Sequence, residues 1–100
     1  MQRRNISVLL ILAFLSAACS GPGVQMMGVS GQEVTVGGSV FTVYVKGNAA
    51  EAVRTSFEFP ARIGIVFPRA RIAIEQVSGC RIPDGNLHGD AALIRARIVC

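Results

Sequence analysis

Ser39-Val40-Phe41-Thr42-Val43-Tyr44-Val45-Lys46 is the stretch that decides the fold of this chain. Phe41, Val43 and Val45 fall on one side of an extended backbone, and Val40, Thr42 and Tyr44 on the other. That is the two-residue period of a strand with one face in a core. β-Branched and aromatic residues fill most of its positions, which suits a pleated, half-buried surface. Turns flank it. Gly37-Gly38 precedes it, and both positions tolerate the positive φ of a two-residue hairpin loop. Lys46-Gly47-Asn48 follows it as a second turn signal. Before the first turn, Glu33-Val34-Thr35-Val36 alternates in the same way. After the second, Val53, Thr55, Phe57 and Phe59 share one side and Ala52, Arg54, Ser56 and Glu58 the other, until Pro60 ends the run. Residues 33–59 therefore read as a β-meander, with Phe41, Val43, Val45, Val53 and Phe57 as the expected core.

Beyond Pro60 the period is mixed. Ile63, Ile65 and Phe67 alternate with Arg62, Gly64 and Val66, which suits a strand ended by Pro68. Residues 69–78 fit a helix: Pro68 suits a first turn, Ala70, Ala73, Ile74 and Val77 form a helical stripe, and Gly79 sits where a helix stops. A strand through Ile72 and Ile74 is the rival reading. Ile82 to Asp90 reads as a loop, dense in turn residues. Ala92 to Val99 reads as a strand with Ile94, Ala96 and Ile98 inward and Arg95 and Arg97 outward. The expected class is α+β: a small antiparallel β-meander with one short helix and a C-terminal strand.

The N-terminus has a different logic. Arg3 and Arg4 precede a nearly unbroken apolar run from Ile6 to Leu15, and Ser16, Ala17 and Ala18 are small. Positive start, apolar middle and small-residue end make a secretory signal peptide. The run is shorter than the roughly 20 residues that span a bilayer, so a permanent transmembrane helix is the weaker reading. Leu15-Ser16-Ala17-Ala18-Cys19 resembles the lipobox of bacterial lipoproteins. The resemblance implies that Cys19 receives a diacylglycerol thioether and becomes the first residue after cleavage. It also implies a membrane-anchored protein of the cell envelope, in the outer membrane where the host has one, since Ser20 resembles the residue that follows the cysteine in outer-membrane lipoproteins. Ordinary cleavage after Ala18, giving a periplasmic or secreted protein, remains the alternative. The expected organisation is a signal peptide over 1–18, a lipidated N-terminus and linker over 19–32, and one domain over 33–100.

The chain has three cysteines. If the resemblance gives Cys19 to the lipid, Cys80 and Cys100 remain to pair in an oxidising compartment. A metal or redox site at Cys80 is the competing reading. The layout Ser78-Gly79-Cys80, then Gly89-Asp90-Ala91-Ala92-Leu93 and a terminal cysteine, also resembles small uncharacterised exported bacterial proteins, which implies a shared scaffold and no activity.

Composition restricts function. Cleavage before Cys19 leaves 82 residues, enough for one domain with a small core. Losing Arg3 and Arg4 lowers the formal charge from +4 to +2, too weak a basic balance for a nucleic-acid binder. The single histidine, His88, lies in a turn-rich stretch between Asp84 and Asp90, with no nucleophile motif near it in sequence. A weak metal site there is conceivable, but turn-forming aspartates are the ordinary explanation. Glu33, Glu51, Glu58 and Glu75 read as solvated carboxylates on outward faces. No enzymatic activity, cofactor or metal is expected. Arg69, Arg71, Arg95 and Arg97 are the candidate contacts for an anionic surface, either lipid head groups or an acidic partner, with a solvated face as the plain alternative. The expected function is a lipid-anchored structural or interaction module, whose partners are the membrane and an envelope protein. The alternative is a soluble binding protein for an anionic ligand or partner.

Overall fold

A computed structural model describes residues 21–100. Among them, a five-stranded antiparallel sheet carries one helix on one face. The strands are β1 (Gln32–Val36), β2 (Ser39–Lys46), β3 (Ala49–Arg54), β4 (Leu87–Gly89) and β5 (Leu93–Arg97). They lie in the order β1-β2-β3-β5-β4. The helix α1 (Ile63–Ser78) links β3 to β4 and packs on β1, β2 and β3.

The meander follows its turn chemistry. Gly37, at φ 59°, closes the β1–β2 hairpin so that Val36 pairs with Ser39. Gly47, at φ 60°, closes the next so that Lys46 pairs with Ala49. That second turn sets the face of β3. Val43 pairs with Ala52 and Val45 with Ala50, so these two alanines join Phe41 and Val43 on the helix side. Val53 falls on the other face and is half-buried, contrary to its expected place in the core. Phe57 departs further. The strand stops at Arg54, and Phe57 is 93% exposed.

Small residues decide this inversion. Ala70 and Ala73 on α1 and Ala50 and Ala52 on β3 are all fully buried. Alanines on both layers let helix and sheet backbones approach closely, and the volume that remains is filled by Phe41, Val43, Val66, Ile74 and Ile94. Interiors packed to this density leave no room for the larger side chains that periodicity alone would place there.

The helix is longer than its sequence suggested. It starts at Ile63, so the alternation of residues 62–67 does not make a strand and Pro68 lies inside the helix. The buried stripe begins at Val66 and continues through Ala70, Ala73 and Ile74, with Val77 packed against it. Pro68 removes one backbone donor, whose acceptor would be the Gly64 carbonyl. Both residues are exposed, so water can serve that carbonyl. Gly79 ends the helix in the left-handed conformation, φ 69°, and its N–H donates to Glu75 O at 2.9 Å.

The chain after α1 is tied back in three ways. Cys80 and Cys100 form a disulfide across a separation of 20 residues, a crosslink that contributes on the order of 3 kcal/mol in the chain-entropy account. Arg81 and Val99 exchange backbone hydrogen bonds of 2.9 and 2.8 Å. Glu75 Oε2 accepts the Ile82 N–H at 2.9 Å while Arg71 Nη1 donates to the Ile82 carbonyl at 2.6 Å. The expected loop over 82–90 contains a short strand, β4, in which His88 pairs with Arg95. The C-terminal strand keeps its expected faces: Ile94, Ala96 and Ile98 are buried, Arg95 and Arg97 exposed.

Two substitutions distinguish this core from the expected one. Ala73→Leu should destabilise the domain by about 1–3 kcal/mol through overpacking. Phe57→Ala should change stability by less than about 0.5 kcal/mol. Denaturant unfolding of both variants checks this; a larger loss for Phe57→Ala would contradict it.

Candidate functional site

A single helix covers one face of the sheet. Part of the other face is covered by the residues that lead into β1. They cross it as a strap containing a 3-10 turn, Val24–Met26. Met26 is buried beneath the strap. The Gly23 N–H donates to Glu51 Oε1 at 3.2 Å. A Cβ at position 23 would meet that carboxylate oxygen at 2.5 Å, so a larger residue there would have to displace the buried Glu51 side chain. Glu51 was expected on a solvated face. It is instead fully buried on β3, and its Oε2 has no hydrogen-bond partner among the described residues. Arg95, on the neighbouring strand, brings its Nε to 3.8 Å from Oε1. A buried carboxylate is costly unless charge and hydrogen bonds compensate it, so the strap amide and Arg95 together hold Glu51 in place.

Beside this latch the outer face opens into a shallow cleft of about 250 Å³. Gln25, Asn48, Asn86, His88, Arg95 and Arg97 supply its polar lining. These are amide, imidazole and guanidinium groups, with no carboxylate, thiol or hydroxyl among them. Such a set can donate hydrogen bonds to an anion, and His88 is its one group able to act as a base or nucleophile. Among the described residues no three His, Cys, Asp or Glu side chains gather as a metal site. Asp90 has a turn-forming role: its carboxylate accepts the N–H groups of Leu93 and Ala92, and these hold its pKa below the ordinary aspartate value.

The four arginines singled out from the sequence divide between the two sides of the sheet. Arg95 and Arg97 line the cleft on the outer face. Arg69 and Arg71 lie on α1 and are engaged internally. Arg71 clamps Ile82 as described above, 4.0 Å from Glu75. Arg69 donates to Ser39 Oγ at 3.1 Å and lies 3.7 Å from Glu58. Cys19, the expected lipid attachment site, lies outside the described residues.

Glu58 is the centre of the second notable cluster. It was expected to be solvated, yet its carboxylate accepts hydrogen bonds from Ser56 Oγ at 2.7 Å and Ser39 Oγ at 3.0 Å, and pairs with Arg54 Nη1 at 3.4 Å. Ser56 Oγ in turn accepts the Val40 N–H at 3.0 Å, and Arg54 donates to the carbonyls of Ser56 and Ala91. One carboxylate thereby ties together the start of β2, the end of β3, and α1 through Arg69. Its neighbours Phe57 and Phe59 project into solvent, 93% and 88% exposed. Sequence alternation had placed Phe57 in the core and Phe59 on the same side of the strand. No local signal marks them as exposed, since the strand's early end depends on the polar network around Glu58.

The Ser56 hydrogen bond, with those of Ser39 and Arg54 and the charge of Arg54, outweighs burial and lowers the Glu58 pKa from its ordinary value of 4.5. A depressed carboxylate pKa contributes stability that is present above about pH 4.5 and is lost as pH falls through the folded-state value. Glu58→Gln should therefore destabilise the domain at pH 7 and flatten its stability loss below pH 4.5. Unfolding curves from pH 3 to 7 check this, and parallel profiles for variant and wild type would contradict it. Comparison with protein-family models, curated proteins and solved structures finds no match to this chain.

Proposed function

We propose that this chain is a lipid-anchored cell-envelope protein, held at the membrane through Cys19 and acting as a small structural or interaction module. The observation that carries the reading is the leader itself: positive start, apolar run, then Leu15-Ser16-Ala17-Ala18-Cys19. Three further features accord with it. The Cys80–Cys100 disulfide belongs to an oxidising compartment and leaves Cys19 as the unpaired thiol. Gly23 is pinned to Glu51, and Cys19 is four residues before it, a chain reach of at most about 14 Å from that point. More than one acyl chain on that residue makes anchoring stable. Where the host has two membranes, Ser20 favours the outer one.

A second reading is a soluble periplasmic or secreted protein that binds an anionic ligand. The cleft favours it, because Arg95, Arg97 and His88 converge there with three amide side chains. Intact mass spectrometry of protein from the native host separates the two. The anchored reading expects a chain starting at Cys19 with a diacylglycerol adduct and one disulfide. It also expects Cys19→Ala either to leave membranes or to stay uncleaved. A processed Cys19→Ala protein retained on membranes would contradict the anchor.

A further inference from the structure

We infer that Phe57 and Phe59 form an apolar tip that inserts into the lipid surface of the same bilayer that holds the anchor. This inference rests on the anchored reading and adds to it an orientation and a second contact. The starting point is exposure. Two phenylalanines separated by one residue, nearly free of protein contact, are unusual on a domain whose core is built largely from alanine, valine and isoleucine. Ile63 and Ile65, in the first turn of α1, are also about half exposed. Exposed apolar area of this kind marks a contact site.

The tip is held in place before any contact. Glu58, between the two rings, is fixed by Ser39, Ser56 and Arg54, and the Ser56 carbonyl is fixed by Arg54. The network holds the backbone from which both rings project, so little further ordering is needed when they are buried.

Three observations favour a lipid surface as the occupant. The first is position. Gly21 lines the same shallow pocket as Val53, Arg54 and Thr55. Cys19 is two residues before Gly21, and Phe57 is two residues after Thr55. Each step reaches at most about 7 Å. The first described residue thus lies beside the end of β3 that leads into the tip. The second is area. Two phenylalanine side chains bury about 150–250 Å² each, short of the roughly 800 Å² per partner of a specific protein interface, whereas a bilayer interface accepts single aromatic rings. The third is charge. Arg62, three residues after Phe59, is exposed and has no acidic partner among the described residues, so it is free to meet lipid phosphates.

The chain contains no tryptophan, so one introduced ring reports its own surroundings. Phe57→Trp and Phe59→Trp are each produced as the full chain in the native host, purified, and reconstituted into phosphatidylethanolamine–phosphatidylglycerol vesicles. The expected result is a blue-shifted emission, loss of that emission when the lipids carry brominated acyl chains, and protection from acrylamide. Emission unchanged by brominated lipid and open to acrylamide would overturn the inference. Protection in native membranes but not in pure lipid vesicles would also overturn it, in favour of a protein partner. Intact mass of the same samples reports the anchor separately. If Cys19 carries no lipid yet the ring is quenched by brominated vesicles, the anchored reading fails and the tip stands.

Discussion

A five-stranded sheet has two faces to bury, and the described residues supply one α-helix to cover them. That constraint shapes the rest of the molecule. On the helix side, alanines on both layers bring backbone close to backbone, with Phe41 and Ile74 filling the space around them. On the other side, the residues before β1 become the second layer. The Gly23 amide on buried Glu51, with Met26 beneath the turn, makes the strap part of the fold. The linker expected over 19–32 is thereby attached to the sheet from Gly23 onward.

The same shortage of covering layers explains why charged side chains act as structural ties. Arg71 and Glu75 hold both backbone groups of Ile82, and Arg54, Arg69 and Glu58 join strand ends to the helix. A small domain gains little from burial alone, and a partly buried network with several hydrogen bonds per charge adds to it. The Cys80–Cys100 bond serves the same end at the C-terminus. With Arg69 and Arg71 occupied in this way, the exposed cations among the described residues are Lys46, Arg62 and Arg81, with Arg95 and Arg97 in the cleft.

Much of this fold was legible from local signals. Gly37-Gly38 and Gly47-Asn48 place the two hairpins, Gly79 ends the helix, and the alternation around Ile94, Ala96 and Ile98 gives the last strand its inward face. What could not be read depended on partners distant in sequence. Alanine carries too little hydrophobic signal to show that Ala50 and Ala52, rather than Val53, face the core. Pro68 reads as a helix start because nothing nearby shows that Gly64, its i−4 partner, is in solvent. Glu51 and Glu58 look like surface carboxylates until Gly23 and Ser39, 28 and 19 residues away, are brought to them. The exposure of Phe57 and Phe59 follows from that second contact and was hidden for the same reason.

The most direct test of the account is amide hydrogen exchange across the strap, followed residue by residue by NMR. If the strap is the second covering layer, the amides of Gly23, Met26 and Val29, bonded to Glu51 Oε1, Gly23 O and Met26 O, should exchange far more slowly than in an unfolded chain. In Glu51→Ala all three should lose that protection while β2 keeps its own. Exchange at unfolded-chain rates in the unsubstituted protein would show that the strap is not part of the fold, and the outer face would need another cover.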